Sequence, residues 1–327
     1  MNDVELSLLK EIADIDGTSS LTGAYNIRKN GQGVERKVND NINIVTKEDK
    51  SGIDIIVKDD VKFDFVHIPV IVTESGIKDL VYNDFYIGKN STVTIIAGCG
   101  IHNDHHKDSE HNGIHRFFLE ENSKVKYIEK HYGEGEGTGK RILNPVTEVY
   151  LKKGSSLEME SVQIKGVDST ERVTKGILEE DTNFIVSEKI MTHGKQYAKT
   201  VFEVELKGKN SSTHVTSRSV ATDDSVQEFI SNVIGNNVCF GHVECDAIIK
   251  DKAKVIAEPK IIANDIDANL IHEAAIGKIA GDQLTKLMTL GLSEKEAEEE
   301  IIKGFLKLYI YKENNSFCYC YFELQKI

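Results

Sequence analysis

The chain has 327 residues, 39% of them apolar and 28% charged, with a net charge of −13, and this is enough to bury a large core as one elongated domain or two ordinary ones. So negative a surface, with no basic stripe interleaved with aromatics, argues against a nucleic-acid partner. No run of eighteen apolar residues is present to cross a membrane. Five cysteines, Cys99, Cys239, Cys245, Cys318 and Cys320, are too few for a disulfide framework and are expected as thiols in a reducing compartment.

At the start of the chain, Val4, Leu8, Leu9, Ile12 and Ile15 recur at helical spacing among charged residues, which predicts a short amphipathic helix within an N-terminal segment 1–25. The segment has neither the basic start nor the apolar core of a signal peptide, so a cytoplasmic location is expected. Further on, a short pattern repeats: charged residues, then Asn, Gly or Asp, then usually a small residue, then alternating apolar positions. Its anchors are Asn90, Asn122, Gly154, Asp181, Asn210 and Lys252, separated by 32, 32, 27, 29 and 42 residues. Asn, Asp and Gly tolerate the left-handed backbone of a tight corner. The alternation after each corner, as at Val93 and Ile95 or Leu157 and Met159, is that of half-buried strands. One such unit cannot bury its apolar face alone, and stacking into a solenoid solves the problem. The expected fold is therefore all-β, a parallel β-helix over 26–276, with an antiparallel sandwich as the alternative.

Within this region several segments invite a chemical reading. Five histidines lie between Cys99 and His115, at His102, His105, His106, His111 and His115, a density that could bind zinc or iron although no metal-ligand spacing is matched. The plain reading is a solvated loop. Gly133 to Lys140 lacks the glycine and hydroxyl that a P-loop requires, and its two carboxylates would repel phosphate. His272-Glu273-Ala274-Ala275-Ile276 starts like a zinc-protease helix, but Ile276 stands where a second histidine is needed. Beyond it, Leu284, Leu287 and Met288 space as one helix ended by Gly291, and Ser293 with Glu296 forms a capping box for a second helix. These helices occupy 277–308, and the aromatic-rich tail 309–327 suggests a hairpin with a turn at Lys312 to Asn315.

Read in order, Gly98-Cys99-Gly100, Tyr127-Ile128-Glu129-Lys130-His131-Tyr132-Gly133, Ser217-Arg218-Ser219, Gly241-His242-Val243-Glu244-Cys245-Asp246, and His272 to Ile279 through Gly291-Leu292-Ser293 to Gly304-Phe305 resemble the SufB/SufD family of iron-sulfur cluster assembly proteins. The resemblance covers roughly residues 75 to 306. It implies a right-handed parallel β-helix with terminal helices, a non-enzymatic scaffold, and a labile iron-sulfur cluster that is built and passed on. It also implies docking on a SufC-like ATPase through the C-terminal helices, a homodimer or SufB/SufD-like heterodimer, and sulfur from a cysteine desulfurase system. Carried over by position, it implies that Cys245 and Glu273 serve as SufB-type cluster ligands, His272 as a SufD-type ligand, and Cys99 as the first sulfur acceptor. A Cys99 of that role is expected to be more accessible than Cys245, with imidazoles beside it. The His-rich segment and the missing N-terminal Cys-x-x-Cys domain depart from the family pattern and imply a compact version. A zinc-dependent hydrolase and a β-helix enzyme acting on polysaccharide are the competing functions.

Overall fold

The computed structural model describes residues 2–13 and 23–307, with two further backbone strands at 310–313 and 316–319. The chain is mostly β-strand, wound as a solenoid of about eight turns with one N-terminal and two C-terminal helices. One sheet holds Ala24–Lys29 (β1), Gln32–Lys37 (β2), Asp64–Val72 (β5), Thr92–His102 (β7), Lys124–Glu134 (β9), Ser156–Lys165 (β12), Asn183–Thr192 (β14), Ser211–Ala221 (β16), Cys239–Ile249 (β18) and Ala268–Gly277 (β20). The other holds Ile42–Thr46 (β3), Gly52–Val57 (β4), Lys78–Ile87 (β6), Ser109–Leu119 (β8), Arg141–Leu143 (β10), Val146–Leu151 (β11), Ser169–Leu178 (β13), Tyr197–Leu206 (β15), Val226–Gly235 (β17) and Lys254–Ala263 (β19). The coils pair in parallel, as the repeat predicts. The first turn differs, because β1 with β2 and β3 with β4 pair antiparallel. These hairpin strands close the N-terminal end.

The corners explain the repeat. Asn90, Asn122, Gly154, Asp181 and Asn210 all take positive φ, between 56° and 72°, and Asp60 begins the same line one coil earlier with φ 60°. Their side chains stack from coil to coil: the Asn90 amide donates to Asp60 at 3.0 Å and the Asn210 amide to Asp181 at 2.9 Å. The small residue that follows is buried and returns its hydroxyl to the corner, as Ser123 does to the Glu120 carbonyl at 2.7 Å and Thr182 to Glu179 at 2.7 Å. Lys252 is not an anchor. The left-handed residue there is Asp251, φ 59°, and it belongs to the opposite corner line with Gly194 and Asp223. The 42-residue interval arose from stepping between two lines. The corner that follows Asn210 in its own line is the turn 236–238, which has no left-handed residue.

Between the sheets lies one continuous core, with Phe85 and Phe117 stacked at 4.4 Å and Tyr127, Phe184 and Phe202 fully buried. Helix α1 (Asp3–Ala13) starts two residues into the chain and ends well before residue 25, and β1 already begins at Ala24. Ile15 lies outside the described residues. Asn2 caps α1, accepting the Glu5 N–H while Glu5 accepts the Asn2 N–H. Leu8, Leu9 and Ile12 pack on the outer face of the first sheet with Ile27 and Ile71. Gly98 and Gly100 of β7 make this close approach possible, since a Cβ on Gly98 would lie 2.4 Å from the Ile12 carbonyl oxygen.

At the other end none of the described residues gives such cover. Ile256, Ile261, Ile271 and Ile276 of the last coil are exposed. Helix α2 (Gly281–Thr289) has no buried residue, and α3 (Glu294–Leu306), opened by the predicted Ser293–Glu296 capping box, buries Ala297 and Leu306 and ties Glu298 to Lys250. The helices thus lie beside the solenoid rather than over its end. In the tail, strands β21 (Ile310–Glu313) and β22 (Ser316–Tyr319) pair antiparallel. Lys312 and Glu313, read from sequence as part of the turn, are in the strand, and Asn314, Asn315 and Cys320 lie outside the described residues.

Gly98→Ala is expected to cost about 1–3 kcal/mol by overpacking, with α1 released first. Chemical denaturation and the rate of proteolytic cleavage within α1 measure the two effects, and a variant as stable and resistant as the native chain contradicts this account of the glycines.

Candidate functional site

Parallel stacking puts residues of equal parity in register, so each interior position becomes a row running along the solenoid. One row of the first sheet runs Glu129, Ser161, Glu188, Ser217 and Cys245 across β9, β12, β14, β16 and β18, and all five are buried. This row is a polar track through the core, and the interior row beside it carries the buried polar residues His131, Gln163 and Ser219. Burying carboxylates is costly unless they are paired and hydrogen-bonded, and the partners come from the opposite sheet. Arg172 of β13 pairs with Glu129, lies 3.5 Å from Glu188 through Nε, and donates to His131 Nδ1 at 3.0 Å. Thr200 and Ser217 each donate to Glu188 at 2.8 Å. At the other end Tyr127 donates to Glu129 at 3.0 Å and accepts from His115 at 2.6 Å.

Burial opposes the charge of Glu129, but Arg172, His131 and His115 outweigh it and hold the carboxyl well below the usual range. His115 responds the other way: burial drives its pKa down to about 4 despite Glu129 nearby. His111 pairs with Asp79 at 2.9 Å, and Asp79 in turn takes Arg28 at 2.6 Å. The His-rich segment is therefore not a loop throughout. Residues 103–108 form a turn, whereas His111 and His115 sit on β8 and face the interior.

Cys99 occupies the neighbouring interior row, opposite His131 of β9. The sequence-based expectation of an accessible Cys99 is not met: the residue is 6% exposed and Cys245 2%. Burial raises the Cys99 thiol well above its ordinary pKa, and Glu129 and Asp79 add to the effect. Cys245 is pushed up to about 12 by burial, with Glu188 and Asp246 contributing. Five strand steps separate the two cysteines, about 24 Å at the usual inter-strand spacing. Cys239 is also a buried free thiol.

The three residues assigned as cluster ligands are not brought to one face. His272 continues the interior row of Val215 and Val243, its pKa lowered by burial and by His242. Both its ring nitrogens lack a hydrogen-bond partner. Glu273 points outward with its side chain 66% exposed, 3.6 Å from His242 Nε2. Cys245 faces inward opposite Ala274. Among the described residues no group of three or more His, Cys, Asp or Glu side chains is arranged to hold a metal. No helix among them is long and apolar enough to cross a membrane. Glu129, Arg172 and Glu188 were not singled out from sequence as site residues. The available signal was charge at positions whose parity demands burial.

Comparison with known proteins gives a consistent result. Residues 83–305 match the family model described as "SUF system FeS cluster assembly, SufBD core domain". The chain is 28% identical over 257 residues to an iron-sulfur cluster assembly SufBD family protein of Methanocaldococcus jannaschii, covering 77% of this chain and 79% of that one. It is 29% identical over 287 residues to a Pyrococcus horikoshii protein of the same description, covering 82% of each. A third such protein, from Archaeoglobus fulgidus, is 26% identical over 71% of this chain and 62% of its own.

Two measurements follow from the buried groups. The folded chain keeps His115 neutral down to about pH 4, while the unfolded chain protonates it near 6.5. Acidification between these values therefore adds protons to the unfolded state alone, and stability falls by about 3 kcal/mol from this group. Urea denaturation across that window is expected to show the loss, and His115→Gln to flatten the slope; an unchanged slope rules out His115 as the source. Cys245, at about 12, is expected to alkylate roughly 10³-fold more slowly in the folded chain than when unfolded at mild alkaline pH. Comparable rates in the two states disprove the burial assigned to it.

Proposed function

This chain belongs to the SufBD family, and from that membership we propose that it is a cytoplasmic scaffold on which a labile iron-sulfur cluster is assembled for transfer. Family membership supports a part in iron-sulfur cluster assembly. The observation that carries the finer reading is the buried polar row that leads to Cys245 beside the uncovered end of the solenoid. Well-packed apolar residues often replace a buried ion pair at little or no cost, so two carboxylates and a guanidinium kept in the interior favour a role beyond packing.

In this reading Cys99 takes up sulfur as a persulfide from a cysteine desulfurase system. Direct exchange with Cys245 is barred by the distance between them, so an external dithiol reduces the persulfide, freeing hydrosulfide and restoring the Cys99 thiol while the dithiol becomes a disulfide. Because Glu129 and Glu188 against the single charge of Arg172 would repel an anion, the sulfide moves as neutral hydrogen sulfide, its proton supplied by the dithiol, past the hydroxyls of Ser161 and Ser217 toward Cys245. Cys245 is the principal cluster ligand. His272 shares the interior face with Cys245, and Glu273 of the last coil completes the set only if a second subunit or a rearrangement of that coil brings it round. Thiolate with imidazole and carboxylate suits a cluster that must be released.

The open edges of β19 and β20 support pairing with a second subunit, as a homodimer or a SufB/SufD-like heterodimer. Helices α2 and α3 support docking of a SufC-like ATPase: among the described residues α2 buries no side chain, and Met288 is 44% exposed and Leu290 81%. ATP hydrolysis there could move one subunit against the other and expose or bury the ligands.

Anaerobic reconstitution with iron and sulfide is expected to give the visible absorbance of a cluster in the native chain and little in Cys245→Ala, with native-like folding of both verified by circular dichroism. An undiminished cluster in that variant sinks the assignment. Met288→Asp with Leu290→Asp is expected to abolish co-purification with the ATPase; retention at native affinity moves the docking surface elsewhere.

A further inference from the structure

On the outer face of the first sheet, His214 of β16 and His242 of β18 stand directly opposite each other. Their ring centroids are 4.9 Å apart and their Nδ1 atoms 3.3 Å apart. The remaining nitrogens have acceptors behind them: His214 Nε2 lies 3.4 Å from the Thr216 hydroxyl, and His242 Nε2 lies 3.6 Å from Glu273 Oε2. When each Nε2–H is directed to its oxygen, both Nδ1 atoms present lone pairs to each other. Two facing lone pairs repel unless a cation lies between them. The spacing also suits one, since metal–nitrogen bonds of about 2.0–2.1 Å in a tetrahedral site set two imidazole nitrogens about 3.3–3.4 Å apart.

We propose that His214 and His242 bind a divalent first-row transition metal through their Nδ1 atoms, with Glu273 and Thr216 holding the rings from behind. Imidazole favours such ions over calcium or magnesium, and a carboxylate behind a ligating histidine fixes its tautomer and raises its basicity. Glu244, beside Glu273 in the adjoining outer row, adds negative charge, partly offset by Arg218 at 3.5 Å. Water fills the coordination positions that the two imidazoles leave. The site is separate from the thiol row, because strand alternation points Cys245 inward and His242 outward. It gives Glu273 a role at the place where the structure puts it. Assigning the ion as ferrous iron for a nascent cluster rests on the scaffold reading; the metal site does not.

The test is an anaerobic titration of cobalt(II) into the metal-free full chain, read by the visible d–d absorption of a nitrogen-ligated ion. Saturation at one cobalt per chain is expected. His214→Gln and His242→Gln, conservative changes on an outer face, should each weaken binding by at least about tenfold, and Glu273→Gln by about 10–100-fold. Cys245→Ala should leave the titration unchanged, which separates this site from the cluster ligand. Zinc-induced shifts confined to the ring signals of His214 and His242 give a check that needs no variant. The proposal is overturned by the absence of saturable absorption in the native chain, or by native-like titration of both histidine variants. A zinc titration that leaves both ring signals in place overturns it equally and marks the pair as an ordinary imidazole–imidazole hydrogen bond.

Discussion

Each strand of the solenoid satisfies its backbone N–H and C=O groups only through the coils above and below it, so register is the constraint from which the rest follows. A shift of one residue would turn every interior side chain outward. The left-handed corners enforce the register, because each coil must turn at the same place: Asp60, Asn90, Asn122, Gly154, Asp181 and Asn210 hold that line, and their stacked side-chain amides tie it together. Equal register makes every position a row. A row is apolar by default, and a polar group within one must be compensated along or across the core.

The interior row through Glu129 and Glu188 shows how this compensation works. Two carboxylates in line along one sheet have a single guanidinium, Arg172, reaching between them from the other. Serine and threonine hydroxyls, a tyrosine and two histidines supply the remaining hydrogen bonds. Networks of this kind are stable only when nearly complete. Here the completion is uneven, since Ser161 Oγ, Thr147 Oγ1 and His111 Nε2 are buried without a partner. Of these, Ser161 lies in the row itself, while Thr147 and His111 belong to the opposite sheet.

Much of the fold was legible because corners and alternation are local signals. Asn or Asp before a small residue encodes a left-handed turn within four residues, and the capping box at Ser293 and Glu296 is equally local. The signal failed at Lys252, where two corner lines of similar chemistry were read as one. It failed again at His111 and His115, whose density suggested a solvated loop although their even spacing with Phe117 and Leu119 is that of an inward strand face. The site was less legible for a geometrical reason. Arg172 and Glu129 are 43 residues apart and on opposite sheets, and no local pattern announces that their side chains meet. His214 and His242 are likewise one full coil apart, each unremarkable within its own strand.

Strand alternation divides the last coils into two chemical faces, and this bears on the order of events in the proposed assembly. Inside, Cys245 is held as a neutral thiol with its pKa at about 12, and a neutral thiol is neither a good nucleophile nor a good ligand. A coordinating metal removes the proton outright, so the thiol becomes competent when a cation arrives rather than before. Outside, three residues earlier on the same strand, His242 and the facing His214 present imidazole nitrogens on the partly exposed outer surface, backed by Glu273. A cation therefore has a ready first residence on the outer face and a higher barrier to the inner one. The barrier falls where the last coil is uncovered, at the edge formed by β20. On this argument metal arrives first and thiolate forms second, and the burial that makes Cys245 inert on its own is what keeps it from being oxidised or alkylated while it waits.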